Sequence, residues 1–370
     1  MRRAILLLGL LVLLAGCGPT MPPTAGPTAV PTAGATVEPT QPQLAAQLHI
    51  FNWSEYIDPE IYTMFEAEYG ITVVENNFGS NEELLAKLQG GTTGYDVIFP
   101  SDYYVAILIE ENMLLPLDHS KLSNLGNLGE SFRQVPYDPG NVYCVPYQWG
   151  TTGLGYNSAE IDTPQSWADL FEPDPANAWY GRTTMLDDPR ESFAAALTYL
   201  GYDINTTDEA QLAEARDALI RAKAGLSGYD SDQYEDLLAA GETLLAHGWN
   251  GDILMGQEEN EDLAYTVPEE GGVIWIDNMC IPSTTPADRA LAAYLFIDYI
   301  LRPEIGKMVS EFTYYATPNE AAEALLDPEF LSDPTVYPPE EVLGRLQYIE
   351  PLGEFESIYQ RMWDEVKAAS

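Results

Sequence analysis

The chain has 370 residues, 46% of them hydrophobic, enough apolar side chain for two compact units and too much for a largely disordered protein. Its 58 acidic residues against 16 basic ones give a formal charge of -42. Such a field repels phosphate backbones and anionic lipid surfaces and attracts cations, so no nucleic-acid partner is expected; most of the carboxylates read as a solvated coat.

Met1-Arg2-Arg3 is followed by a short apolar run to Ala15, which has the length and flanks of a secretory leader over residues 1 to 16 rather than a membrane span. Its ending, Leu14-Ala15-Gly16-Cys17, resembles the lipobox of bacterial lipoproteins, which implies lipid on Cys17; an ordinary leader with an unrelated cysteine is the alternative. Gly18 to Gln47 holds seven Pro and six Thr and almost no large apolar residue. Such a stretch has no core to bury and stays extended, so residues 17 to 47 read as a tether.

The folded body opens with a short strand, Leu48-His49-Ile50-Phe51-Asn52-Trp53. Asp58-Pro59 has the cap-then-proline start of a helix, Ile61, Phe65 and Tyr69 recur at helical spacing, and Gly70 stops the run. A strand at Ile71 to Val74, a helix from Ser80 through Leu84, Leu85 and Leu88, and a strand at Tyr95 to Phe99 follow. This alternation predicts an α/β unit, with the polar residues after each strand placed where open sheets bind ligands.

Farther along, Tyr143 to Tyr147 and Gly153 to Tyr156 read as extended, and helices are expected near 208 to 223, 233 to 246 and 286 to 300, the last ended by Arg302-Pro303. Gly272 to Ile276 reads as a strand and Phe355 to Val366 as a final amphipathic helix. There is no internal repeat. Cys144 and Cys280 are the only cysteines after Cys17, and that distance in sequence says nothing about their distance in space. With three His and no tight Cys/His cluster, no metal site is expected, nor any cofactor.

Four segments carry a family resemblance: Phe51-Asn52-Trp53-Ser54-Glu55-Tyr56, Tyr95-Asp96-Val97-Ile98-Phe99-Pro100-Ser101, Val145-Pro146-Tyr147-Gln148-Trp149-Gly150 and Gly271-Gly272-Val273-Ile274-Trp275-Ile276-Asp277. Together, in this order and behind a lipoprotein-like leader, they resemble the bacterial spermidine/putrescine-binding proteins of polyamine ABC importers. The resemblance runs from about residue 48 to the C-terminus. It implies an α/β, two-lobed periplasmic-binding-protein fold, with central sheets flanked by helices and a hinge of crossing strands. Residues 48–151 plus 277–321 would form the first lobe and 152–276 plus 322–370 the second. Cys144 and Cys280 would then lie near crossing strands, which favours a disulfide slightly while leaving a reduced pair open.

The resemblance also assigns ligand contacts. Trp53, Ser54 and Tyr56 match the first ligand loop, and Ser101 and Tyr103 the second, with Asp102 facing away and Tyr104 as scaffold. Asp188 and Glu191 match amine-binding acids of the spermidine type, with Asp187 as a capping residue and Arg190 facing another acid. Ser231 matches a polar contact, and Trp249 an aromatic clamp. Asp252 matches the acid of the putrescine-selective branch, and Trp275, Asp277 and Gln347 complete the set. Glu55 is either a further cation ligand or a surface acid. Strand alternation independently puts Trp275 and Asp277 on one face.

Those residue types suit a polyamine, whose desolvated ammonium groups need carboxylates and whose methylenes need apolar walls that aromatic rings supply. The expected partners are a polyamine and the membrane subunits of an ABC importer, with a monomeric, extracytoplasmic protein held to the membrane only by its lipid. A binder of betaine or choline would want an aromatic cage with fewer paired acids. Paired acids also occur in glycoside hydrolases, but no G-x-S-x-G, Walker or His-based metal motif is present and the matched segments have no enzymatic meaning, so the chain reads as a binder and not an enzyme.

Overall fold

The computed structural model describes residues 44–91 and 94–369. The expected leader, Cys17 and the tether up to residue 43 lie outside the described residues. Ten strands follow in chain order: β1 (Gln47–Asn52), β2 (Thr72–Asn77), β3 (Val97–Ile98), β4 (Cys144–Asn157), β5 (Thr183–Met185), β6 (Leu226–Tyr229), β7 (Leu245–Trp249), β8 (Leu263–Thr266), β9 (Gly272–Cys280) and β10 (Leu346–Gln347).

They form one continuous hydrogen-bonded path, β2-β1-β3-β9-β4-β7-β5-β6, with β10 added to β9 and β8 to β4. The two ends of the path are parallel and the middle is antiparallel. Parallel pairs require crossover connections, and each end has its own. At the first end the helix Pro59–Tyr69 joins β1 to β2: the Asp58 carboxylate accepts from the Glu60 amide at 2.8 Å, and Gly70 closes the helix in the left-handed region at φ 68. At the other end the helices Pro189–Leu200 and Glu209–Ala222 join β5 to β6.

Each end buries its own core. Leu48, Ile50, Phe65, Phe296 and Ile297 belong to the first, where the helix Ala287–Ile300 covers the sheet. Trp167, Phe193, Leu212, Leu219 and Trp363 belong to the second, so the C-terminal helix Glu356–Ala368 packs with the helices between β5 and β6. Between the cores run β4 and β9, paired from Cys144↔Cys280 to Thr152↔Val273. Cys144 and Cys280 face each other at a Cα separation of 4.5 Å and form a disulfide, which settles the alternative the sequence left open.

Several local expectations change. The two extended segments around 145 and 155 are one strand of 14 residues. The third strand shrinks to Val97–Ile98. The helix expected over 233–246 ends at Ala239; Gly241 then turns the chain at φ 70, and Leu245–Trp249 enters the sheet as β7. An apolar run this short does not distinguish a helix from a buried strand until its partners, β4 and β5, are known. Pro303, expected only to end a helix, also begins the next one, Pro303–Thr313, where its missing N–H costs nothing.

Candidate functional site

The parallel strands of both ends deliver their C-terminal residues to one cavity. Trp53, Ser54, Glu55 and Tyr56 come after β1, Ser101 to Tyr103 after β3, Asp188 and Glu191 after β5, Ser231, Asp232 and Glu235 after β6, and Trp249 with Asp252 at the end of β7. Trp275 and Asp277 enter from within β9. The carboxyl ends of strands where a sheet reverses its order are the usual location of α/β ligand sites.

Among the described residues, eight carboxylates line the cavity, from Glu55, Asp102, Asp188, Glu191, Asp232, Glu235, Asp252 and Asp277, and no Lys or Arg does. Three tryptophans and three tyrosines, Trp53, Trp249, Trp275, Tyr56, Tyr103 and Tyr315, supply its broad walls. The rings are fixed rather than free to adjust. The Trp53 indole donates to the Phe99 carbonyl at 2.9 Å and meets Trp249 edge-on at 5.7 Å between centroids. Trp275 packs edge-on against Tyr315 at 5.0 Å. Gly150 makes room for it: a Cβ there would lie 2.7 Å from the Trp275 ring and 2.5 Å from Asn250 Oδ1.

The carboxylates are held in three groups. Asp277, buried on β9, accepts from the Tyr56 hydroxyl at 2.8 Å. Burial pushes its carboxyl up to about 7, with the nearby Ser101 and Tyr56 hydroxyls offsetting part of that rise. Asp188 and Glu191 open the helix Pro189–Leu200, and Asp188 Oδ1 accepts from the Glu191 amide at 2.9 Å. Burial raises both, Asp188 to about 6 and Glu191 well above the usual carboxylate range, the latter further by the Asp188 charge. Asp252 accepts from the hydroxyls of Tyr234 and Tyr315 and is also raised by burial to about 6. In each case the ionised form is disfavoured until a positive charge arrives.

The structure revises some roles. Asp188, not Asp187, caps its helix while also lining the cavity; Asp187 instead pairs with Lys367 at 2.7 Å, outside the cavity lining. Asp102 does not face away: it lines the cavity, buried, with its Oδ1 accepting from the Tyr103 amide at 2.8 Å. The first turn of the helix Asp102–Glu110, which starts after Ser101, brings all three side chains of this loop to the cavity wall. Gln347 is not part of the lining; it pairs with Val273 at the sheet edge, and Ile349 reaches the cavity in its place. Arg190 faces Glu356 at 2.7 Å, buried beneath the acidic turn with its guanidinium over the Tyr359 and Tyr103 rings. Ser231 lines the cavity and accepts from the Asp187 amide at 2.9 Å. Tyr104 is buried outside the lining.

Glu55 lines the cavity mouth, its backbone in the left-handed region at φ 50, a conformation costly for a residue with a side chain. The sequence reading passed over Tyr315, Asp232, Glu235, Met255 and Ile349, all in the lining. Tyr315 follows a left-handed Tyr314 that ends its helix, a feature visible only in the backbone. The others had no local signal, because an acid in the first turn of a helix, as Glu235 is, is common everywhere.

The family model of bacterial extracellular solute-binding proteins matches residues 60–338. The chain belongs to that family. Among its relatives is the spermidine/putrescine-binding periplasmic protein of Salmonella typhimurium, 36% identical over 324 residues, covering 87% of this chain and 91% of the relative. The putrescine/cadaverine-binding protein of Pseudomonas aeruginosa is 35% identical over 344 residues, covering 88% and 95%. A solved structure from Listeria monocytogenes, assigned to spermidine/putrescine ABC transport, superimposes with a TM-score of 0.83 at 36% identity, covering 88% of this chain and all of the other. The two cores are therefore the two lobes of a periplasmic-binding-protein fold, with β4 and β9 running between them, and the relatives are binding proteins rather than enzymes. The family places its members outside the cytoplasm, and among the described residues no helix is long and apolar enough to cross a membrane.

Proposed function

We propose that this solute-binding protein captures a linear polyamine, spermidine or putrescine, between its lobes and delivers it to the membrane subunits of an ABC importer. The observation that carries this reading is a cavity with eight carboxylates, no basic side chain and three tryptophans among its lining. A cation with several charges along an apolar chain matches that pattern, and a single quaternary ammonium would leave most of the acids without a counter-charge. The names of the relatives support the same cargo class.

In this reading Asp188 with Glu191, Asp277, and Asp252 pair with ammonium groups. Trp53, Trp249 and Trp275 pack on methylenes, and Ser54, Tyr56, Ser101, Tyr103 and Ser231 complete the polar contacts. The first lobe takes 48–151 plus 277–321 and the second 152–276 plus 322–370, so the hinge falls on β4 and β9. Lipid on Cys17 anchors a monomer to the membrane surface through the Pro/Thr-rich tether, a single acyl-modified terminus being the only membrane contact.

Titration calorimetry of the folded body at moderate salt with spermidine, putrescine, choline and glycine betaine tests the cargo. Low micromolar or tighter binding of one polyamine is expected. The absence of binding heat from both polyamines, or stronger binding of choline or betaine, overturns the assignment. Metabolic labelling with a fatty acid, compared between the full chain and its Cys17→Ala variant, tests the anchor; equal labelling of the two removes it.

A further inference from the structure

Glu235 is buried, with 7% of its surface exposed, yet its Oε2 accepts no hydrogen bond from the protein. It sits at the start of the helix Tyr234–Ala239 and lines the cavity beside Met255 and Asp252. Nothing in its own lobe needs it there. The neighbouring Tyr234 already holds Asp252, its hydroxyl donating at 2.8 Å while accepting from the Trp249 amide at 2.9 Å. Gly248 keeps the Tyr234 ring in place, since a Cβ at 248 would come within 2.2 Å of it. A locked Tyr234 fixes the helix start, and with it the direction of Glu235.

The charged groups around Glu235 are all acidic. Asp252 faces it from the helix Asn250–Gly256, Glu55 from the loop after β1 and Asp236 from its own helix, and Asp232 lines the same end of the cavity. The backbone amide of Glu235 is the one donor that favours its charged form, and Oε2 has none. A buried carboxylate with an unmet oxygen and only like-charged neighbours costs several kcal/mol when ionised, so a structure that retains one either keeps it protonated or supplies a cation. Burial first, and the Asp252 charge second, push Glu235 up to about 9.

We infer that Glu235 is an ammonium ligand of this site, forming with Asp252 a two-carboxylate subsite that selects an amine terminus bearing N–H donors. A primary ammonium offers three N–H groups, and Asp252, already holding two tyrosine hydroxyls, has limited capacity left to accept them. Glu235 Oε2 is the free acceptor. A quaternary ammonium has no N–H to give it and would leave this oxygen unbonded in a buried wall, which costs affinity by the same logic that makes any unmet buried acceptor costly. The subsite also resembles the acidic turn of Asp188 and Glu191 in composition, so two carboxylate pairs line the cavity. Arrival of the ammonium displaces the proton that Glu235 holds in the empty cavity.

The inference rests on the polyamine reading, and one experiment separates the two. Spermidine, putrescine and choline are titrated calorimetrically into the wild-type protein and its Glu235→Gln and Asp236→Asn variants at pH 8, each in two buffers of different ionisation enthalpy so that proton release is counted. Glu235→Gln should weaken the tighter-binding polyamine by about tenfold or more and lower the protons released, while the exposed Asp236→Asn changes neither by more than about twofold. Thermal melts of the empty proteins confirm that the Gln variant is folded. A folded Glu235→Gln protein with wild-type affinity and wild-type proton release overturns the inference and leaves the polyamine reading standing. Equal losses in Glu235→Gln and Asp236→Asn overturn it too, since they would reflect the overall field rather than a ligand. If the wild type binds neither polyamine, both fall together.

Discussion

The two ends of the sheet contribute unequal charge to one cavity. The loops after β1 and β3 supply Trp53, Ser54, Tyr56, Ser101 and Tyr103 with two carboxylates, Glu55 and Asp102; the segments after β5, β6 and β7 supply Trp249 and Ser231 with five, Asp188, Glu191, Asp232, Glu235 and Asp252. Asp277, on a strand between them, accepts from the first lobe's Tyr56. Direct contacts already cross the cleft, with the Ser54 hydroxyl donating to Asp232 and Trp53 meeting Trp249. The division teaches that the larger share of the charge, five of the eight carboxylates, comes from one end of the sheet, while the other adds most of the hydroxyls; burial from water strengthens any ion pair made between them.

That contrast is sharpest at Asp277, where both contributions meet. Asp277→Asn should weaken polyamine binding by about 100-fold, roughly 3 kcal/mol, because a buried ammonium loses its charge partner. Calorimetry reads it directly, and an unchanged affinity would remove Asp277 from the site. If the second lobe carries the charge recognition, Glu191→Gln should cost about 30-fold, more than any single ring of the first lobe. Trp53→Ala should cost about tenfold through lost packing and cation–π attraction. A larger loss at Trp53 than at Glu191 would reverse the asymmetry between the lobes.

Affinity should also depend on pH in a direction set by the acids. Burial raises Asp188 and Asp252 to about 6 and Asp277 to about 7. Their contribution to the stability of the empty protein is therefore fully present below the ordinary carboxylate range, and it is lost as pH rises through about 6 to 7. An ammonium needs the ionised forms, so its affinity rises across that window by about tenfold. Thermal melts between pH 5 and 8 should show the empty protein weakening while the shift produced by spermidine grows; a spermidine shift that shrinks with pH would contradict these assignments. The smallest effect is expected at the cleft rim, where Ser54→Ala should change affinity by about threefold or less, since its hydroxyl bond to Asp232 is open to solvent.

Much of this was legible along the chain because it depends on local rules. Asp58-Pro59 and Gly70 marked both ends of a helix, and the helix Ala287–Ile300 was readable from its apolar spacing. Trp275 and Asp277 could be placed on one face by strand alternation alone, and both line the cavity. Other residues resisted for physical reasons. Leu245–Trp249 is buried along nearly its whole length as a central strand is, and without strict alternation its pattern mimics the end of the preceding helix. Asp188 and Asp187 are adjacent acids, and which one caps is a matter of backbone direction: Asp188 sits extended at φ -127 and turns its carboxylate onto the Glu191 amide.

By itself, the sequence determined the acidic excess, the alternation of strands and helices, and the local motifs that place aromatic and acidic residues after strands, because those features depend on composition and on neighbours a few positions apart. Only the tertiary structure decided that Cys144 meets Cys280 and that Glu235 stands beside Asp252 with an unmet oxygen. It alone also placed Asp102 in the wall and Gln347 outside it. Such relations depend on sheet order and register between segments as far as 136 residues apart, and the cost of a buried charge exists only once the rest of the chain has closed over it.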